Sequence, residues 1–324
     1  MILKFHLEIL YCYYRAKAPL KSLAKSFIVE DKSIFPYDFV NGATSDLNYI
    51  GKVPKFKYFR GASRTQSEYV NYIKVFKNKN WNLKEETIKY CNNDCIILYL
   101  IIGKFNRLIF DKFNLNVHRF PTLSSLALGI YRCNYLKDFQ IPIISGKLFL
   151  DLKKSYSGGS TDMGLRPPKG ENIYAYDVNS LYPTVMKNMV MPVGNIKYFE
   201  GDIWKVDPKA FGFFNVEIIA PIEAPIKHPI IQTKVDTGNG MRTVSSLGTW
   251  KDMLFSPEIE NAIKYGYKFK IINGYLFEKD TIFSDYIDVL YEIKQSKSKD
   301  DPMYLISKLL LNSLYGRRSR RNGL

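Results

Sequence analysis

Apolar side chains recur at Ile88, Cys91, Cys95, Leu98 and Ile102, the three-and-four spacing of a helix buried along one side. Asn82 stands three residues before Glu85 at the head of that run, which is the arrangement of a capping box. The pattern therefore predicts a helix from 83 to about 102, and RFPTLSSLALGIYRCNYL predicts a second over 119–136. Upstream, residues 18–80 hold short elements broken by turn residues, as in FPYDFVNGATSD and GKVPKFKYFRGASR. From 140 to 172 the texture changes to strand and turn, with YSGGS and LRPPKGEN, and a domain boundary is expected near 145. IYAYDV (173–178) and FGFFNVEIIAP (211–221) alternate or run apolar like strands. YKFKIINGYLFE (267–278) reads as further sheet, with Asn273-Gly274 as its turn signal. FSDYIDVLYEIKQSKSK and DPMYLISKLLLNSLYG predict two antiparallel helices joined by a charged turn.

Composition narrows the class. The 324 residues are 46% hydrophobic and 24% charged, as in a soluble globular protein, and could form one large domain or two. A net charge of +16 points to a polyanionic partner, and the 15% aromatic share implies large cores or stacking surfaces. The four cysteines (Cys12, Cys91, Cys95, Cys133) fit free thiols in a reducing compartment. Cys91 and Cys95 lack the CxxC spacing or nearby His of a zinc set, so helix packing accounts for them. The longest apolar stretch, CIILYLII, is too short to span a bilayer, and MILKFHLEILYCYYRAKAPL, interrupted by His6 and Glu8, makes a poor signal or transit peptide. No membrane partner is expected.

Two stretches carry candidate chemistry. In YAYDVNSLYPTVM, Asp177 ends an apolar-aromatic run. A carboxylate at the end of a strand is held still enough to grip Mg²⁺ against a phosphate. The Val178 carbonyl offers a second oxygen, and Tyr182, beside Pro183, offers a ring wall for a sugar. For a single Asp, an Asp-initiated surface turn is the commoner explanation. In KLLLNSLYG, Lys308, Asn312 and Tyr315 fall on one helical stripe, with Ile306, Leu309, Leu310 and Leu314 opposite. A cation beside an amide and a ring suits a triphosphate with a base above it, and Gly316 permits close approach. Taken alone, the stripe is better explained as a helix face turned to water.

Together, in this order, DVNSLYP and KLLLNSLYG resemble motifs A and B of family B DNA polymerases, and YSGG at 156–159 resembles the Y-x-G-G element of their protein-primed branch. HPIIQTKVDTGNGMRT, GTWKDMLFSPEIENAIKYGYKF and FPYDFVN are similar to the mitochondrial linear-plasmid members. The resemblance implies DNA-directed DNA polymerase activity in DNA replication by two-metal nucleotidyl transfer with Mg²⁺ or Mn²⁺. It implies primer/template DNA, dNTPs and a terminal protein primer as partners, and a mitochondrial, plasmid- or organelle-encoded setting. Asp177, with the Val178 carbonyl, would hold metal. Lys308 would bind the incoming triphosphate, with Asn312, Tyr315 and Gly316 lining its pocket, and Tyr182 would exclude ribonucleotides. Tyr156, Gly158 and Gly159 would touch template. Tyr304 occupies the place of a second basic residue, for which Lys294 or Lys299 would compensate. Tyr90 and Asp94, four apart on one helical face, match the Tyr-x-x-x-Asp element of 3′-5′ exonuclease domains, with Asp94 a metal ligand; the alternative is an exposed pair on a helix. Asn106 with Phe110-Asp111 imitates another exonuclease motif out of order, a coincidence.

The implied fold is mixed α/β (α+β). A partial ribonuclease-H-like exonuclease lobe (1–145) precedes a palm sheet with an insertion (146–284), and the stretch of roughly 193–280 includes that insertion. Fingers helices (285–324) follow, and the thumb is absent. Neither an Asp-x-Asp nor an Asp-x-Glu occurs anywhere in the sequence. The expectation is therefore a partial chain of a polymerase, or alternatively a catalytically inactive relic that holds DNA by charge. The RRSRR run near the end would continue the motif B helix toward template phosphates or fray.

Overall fold

The computed structural model describes residues 20–29, 33–41, 46, 48–59, 65–138, 141–159, 172, 174–221, 229–236, 238 and 240–318. The amino-terminal stretch, the LRPPKGEN turn apart from Asn172, and RRSRR beyond Arg318 lie outside them. The chain divides into two compact units, Met1–Tyr135 with Tyr286–Leu324, and Leu136–Asp285. The first holds α1 (Leu20–Ser26), the short turn α2 (Tyr37–Val40), the strand pair β1 (Ile50–Gly51) and β2 (Trp81–Asn82), α3 (Gln66–Lys74), α4 (Leu83–Phe113) and α5 (Leu123–Asn134). The second holds α6 (Gly146–Lys154), α7 (Leu181–Asn188), β3 (Met191–Glu200), β4 (Gly212–Ile219), β5 (Gln232–Asp236), β6 (Met241–Ser245), β7 (Thr249–Phe255), α8 (Ser256–Ile263) and β8 (Lys268–Asp280). From its end the chain enters α9 (Ser284–Ser296) and then α10 (Pro302–Arg318).

The expected cap of α4 is present. Asn82 Oδ1 accepts from the Glu85 amide at 3.3 Å, and its Nδ2 donates to Glu85 Oε1 at 3.2 Å. The helix does not stop near 102, because apolar spacing continues through Phe105, Ile109 and Phe113. It ends where Asn114 turns left-handed at φ 55°. Its buried face is the expected one only at Ile102. Ile88 is 52% exposed and Cys91 and Cys95 are exposed, whereas Tyr90, Ile97, Ile101 and Phe105 are buried. The sequence carries two apolar stripes here, and the aromatic cluster of Phe35, Trp81, Leu83 and Tyr90 selects the one containing Tyr90. Lys104 ties α4 to α1 by donating to the carbonyls of Phe27 at 3.0 Å and Ile28 at 2.7 Å, a cation at a helix carboxyl end.

The expected final helix pair is present as α9 and α10. Ile306, Leu310, Leu311 and Leu314 are buried, and α10 packs on α5. The fully buried Tyr286 of α9 donates its hydroxyl to the Leu310 carbonyl at 3.1 Å, setting the first turn of α9 beside the second half of α10.

In the second unit the antiparallel order is β3-β8-β4-β7. β4 alternates as its sequence predicts. Phe214, Val216 and Ile218 join the core with Ile259 and Ala262 of α8, while Asn215 and Glu217 take the other face. The Asn273-Gly274 turn expectation is corrected, since both residues lie inside the unbroken β8. Gly274 pairs with Phe214, and a Cβ there would run into the Phe213 carbonyl and come within 2.9 Å of Phe214 Cα. The glycine serves close packing rather than a turn. The strand-and-turn texture expected for 140–172 is likewise corrected by α6, a nine-residue helix.

Gly274→Ala is expected to cost about 1–3 kcal/mol through this clash. Gly103→Ala, in the middle of α4 with nothing within 4 Å of the new methyl, is expected to gain about 1 kcal/mol. Urea unfolding midpoints of the two variants check both signs.

Candidate nucleotide and nucleic-acid site

Residues 174–178 form no strand among the described residues, so the expected strand is corrected. The apolar run is there; the ladder is not. Tyr176 is 92% exposed, and Tyr174, Asp177 and Val178 are exposed as well. Ser180, left-handed at φ 52°, then turns the chain into α7. Pro183 falls in the first turn of α7, where a missing N–H costs nothing. Pro183 and Met186 are buried, and Ser284 Oγ donates to the Lys187 carbonyl at 2.9 Å, so the helix is anchored at its far end. Tyr182, 53% exposed, thus stands on a helix rather than on an open turn. Among the described residues no group of three or more His, Cys, Asp or Glu side chains could hold a metal ion. The described residues do not by themselves make a two-ion site.

In the helical unit, α10 presents the expected stripe. Lys308 and Asn312 are exposed, Tyr315 is half-buried and Gly316 lies within the helix. Tyr304, at the place of a second cation, is half-buried, and Lys294 of α9 lies over the Tyr291 ring, 5.5 Å from its centroid.

Tyr90 and Asp94 are not an exposed pair. Tyr90 is 8% exposed, packs on Phe35 with ring centroids 4.8 Å apart, and shares a 2.6 Å phenol–phenol hydrogen bond with Tyr37. Burial first, then the bonds to Tyr37 and to the Asp94 carboxylate, push the Tyr90 hydroxyl well above its ordinary pKa, so it remains a proton donor. Asp94 Oδ1 is shielded from solvent and accepts no hydrogen bond among the described residues. Asn106, by contrast, is structural, since its Oδ1 accepts from the Val117 amide at 2.9 Å.

The Tyr156-Ser-Gly-Gly segment follows α6 directly. Lys234 of β5 donates to the Tyr156 carbonyl at 2.7 Å. Asp151 of α6 accepts from Tyr275 of β8 at 2.9 Å and from Lys154 at 3.0 Å. The Lys154 head is 64% exposed, so the tyrosine bond contributes more of the fixation than the ion pair. Lys154 first, then Tyr275, hold the Asp151 carboxyl below its ordinary pKa. Lys234 and Lys251 join Lys147, Lys153 and Lys154 of α6 only in the fold, so no local pattern signals the cluster.

The family model described as "DNA polymerase type B, organellar and viral" matches residues 16–319. A "Probable DNA polymerase" of Ascobolus immersus is 45% identical over 92% of this chain, and one of Neurospora intermedia is 44% identical over 88%. The chain spans only 25% and 30% of those two proteins. The structure resembles that of Phi29 DNA polymerase, with a TM-score of 0.57, 22% identity, and coverage of 94% of this chain and 48% of that one. The same protein solved with primer-template DNA and incoming nucleotides also matches, with a TM-score of 0.57, 22% identity, and 93% and 46% coverage.

Asp151→Asn is expected to lower the unfolding free energy by about 1 kcal/mol at neutral pH. A depressed folded-state pKa stabilises above the ordinary carboxylate range and is lost as pH falls through the folded value. The gap from the parent should therefore close in acid. Urea titrations at several pH values read it, and a gap that persists in acid would exclude the carboxylate charge as its source.

Proposed function

The chain belongs to the organellar and viral type B DNA polymerases, and from that membership we propose that it is the stretch of such an enzyme that carries motif A, motif B and the Y-x-G-G element. One observation supports this most. The sequence motif KLLLNSLYG is laid out so that Lys308 and Asn312 are exposed while Ile306, Leu310 and Leu314 are buried. The arrangement leaves Lys308 and Asn312 at the surface of a helix held by its apolar side, where a phosphate can reach them.

In this reading Lys308 neutralises the triphosphate of an incoming dNTP, and Asn312, Tyr315 and Gly316 line its pocket, with Lys294 or Lys299 as the second cation. Tyr182, held by the anchored α7, blocks a 2′-hydroxyl. Tyr156, Gly158 and Gly159 meet template. Asp177, with the Val178 carbonyl, contributes to binding Mg²⁺ or Mn²⁺, whose chemistry is to activate the primer hydroxyl and neutralise the phosphates. A second carboxylate has to come from residues other than those described. Tyr90 and Asp94 serve a proofreading 3′-5′ exonuclease, the phenol orienting water. The domain roles follow as exonuclease-like for 1–145, palm with insertion for 146–284 and fingers for 285–324, with a terminal protein as primer. The fungal relatives and the organellar family description support a mitochondrial, plasmid- or organelle-encoded setting.

The lone, exposed Asp177 favours a second reading, an inactive chain that binds DNA by charge. One experiment separates the two. Residues 16–319 replace the matching stretch of the Ascobolus immersus relative, and primer extension is followed. The polymerase reading expects extension, a loss of about a thousandfold in kcat for Asp177→Asn, and a raised KM for dNTP in Lys308→Ala. Salt-sensitive DNA binding with no extension supports the second reading. Undiminished extension by Asp177→Asn excludes the proposed role of that acid.

A further inference from the structure

The two faces of the four-stranded sheet are unlike. One packs on α8. On the other, Asn215 lies beside Asn273 and Tyr198 beside Tyr275 in register, and β7 sets Lys251 opposite Glu217. Across this polar face lies α6, with Lys147, Asp151 and Lys154 on one stripe. Two adjoining hollows of about 390 and 350 Å³ open between helix and sheet, and both are lined by Lys154, Lys251 and Asp252. Lys153 and Lys234 line the first, and Lys147 lines the second. Five lysines from three separate segments thus border one groove, against the two carboxylates of Asp151 and Asp252. Both acids are already engaged. Asp151 is held by Tyr275 and Lys154, and Asp252 accepts from Thr233 Oγ1 at 2.9 Å and from the Met253 amide at 2.8 Å. The acids fix the walls, and the excess of positive charge is left to the groove. Neither hollow is lined by Asp177, Tyr182, Lys308, Tyr90 or Asp94.

We propose that this groove is a track for the sugar–phosphate backbone of single-stranded nucleic acid, with Lys147, Lys154 and Lys251 as phosphate contacts and Tyr198 as a stacking surface. The inference deepens the nucleic-acid reading above and rests on it only for preferring nucleic acid to other polyanions. The spread of the lysines over two joined hollows suits a chain of phosphates better than one small anion. The hollows have the volume of small-ligand pockets. Tyr198 is 53% exposed, and its ring is set by Tyr275 at a centroid distance of 5.4 Å, so a base meets a fixed aromatic surface. The groove reaches Ser157, and Lys234 grips the neighbouring Tyr156 carbonyl, so a strand in it would be delivered to the Tyr156-Ser-Gly-Gly segment.

The test is fluorescence anisotropy of a labelled oligothymidylate about a dozen nucleotides long, within the ~4–16-nucleotide range of single-strand sites. It uses the whole chain in EDTA without nucleotides, through a salt titration. Lys147→Gln/Lys251→Gln is expected to flatten the log–log salt slope by about 1.4, the release of two counterion equivalents from a single strand. Lys209→Gln/Lys264→Gln removes the same charge away from the groove and should leave the slope unchanged. Tyr198→Ala should weaken binding about tenfold with its salt slope intact. Lys147→Arg/Lys251→Arg should bind like the parent, which guards against a glutamine variant that fails to fold. Equal losses in the groove and control pairs would overturn the proposal. So would competition by duplex DNA or polyglutamate as effective as that of the oligonucleotide, or by inorganic triphosphate at equal phosphate concentration. Because no nucleotide is incorporated here, binding that depends on these lysines stands even where the extension experiment fails. Extension with groove-independent binding sinks the groove alone.

Discussion

The two-residue period of β4 constrains the sheet unit more than any other feature. Phe214, Val216 and Ile218 must share a face to meet Ile259 and Ala262, and a slip of one residue would send Asn215 and Glu217 into that core. Burying an unpartnered amide and carboxylate would cost several kcal/mol, so the register is strongly specified. The register in turn decides what the opposite face presents. Asn215 meets Asn273 across β8, Tyr275 meets Tyr198, and the Tyr275 hydroxyl is placed to hold Asp151. The lysine groove is thus a consequence of core packing on the far side of the sheet.

Sequence legibility followed the length and purity of the pattern. β4 alternates cleanly, and α9 and α10 carry long apolar stripes, so these were readable. The nine residues of α6 were not, because Pro142, Gly146 and the two glycines of YSGG surround them with turn signals. The Asn273-Gly274 pair misled for a different reason. Local turn chemistry there loses to the need for Phe213 and Phe214 to approach β8 closely. In α4 both candidate stripes are apolar, and only the aromatic cluster of another segment decides between them. Lys147, Lys234 and Lys251 lie too far apart for any window to unite them. Their convergence belongs to the fold and not to a motif.

The two acids singled out by motif sit in opposite environments. Asp94 is beside a buried, protonated phenol and has an oxygen shielded from water, where electrostatic interactions are strong. Asp177 faces solvent, where one carboxylate interacts weakly with any ion. A motif therefore identifies a residue type and position, while the surroundings set what that residue can do.

The stretch around Asp177 shows what those surroundings require. Tyr174, Tyr176 and Val178 alternate with Ala175 and Asp177, a strand pattern with exposed side chains and no ladder among the described residues. Alternation of this kind becomes a strand only where a neighbour supplies the ladder. A neighbouring strand would put the two tyrosines and Val178 on one face and leave Asp177 on the other, beside whatever that strand carries. Without a strand beside it among the described residues, the pattern leaves Tyr174, Tyr176 and Val178 in water, and the apolar run by itself does not fix the Asp177 carboxylate.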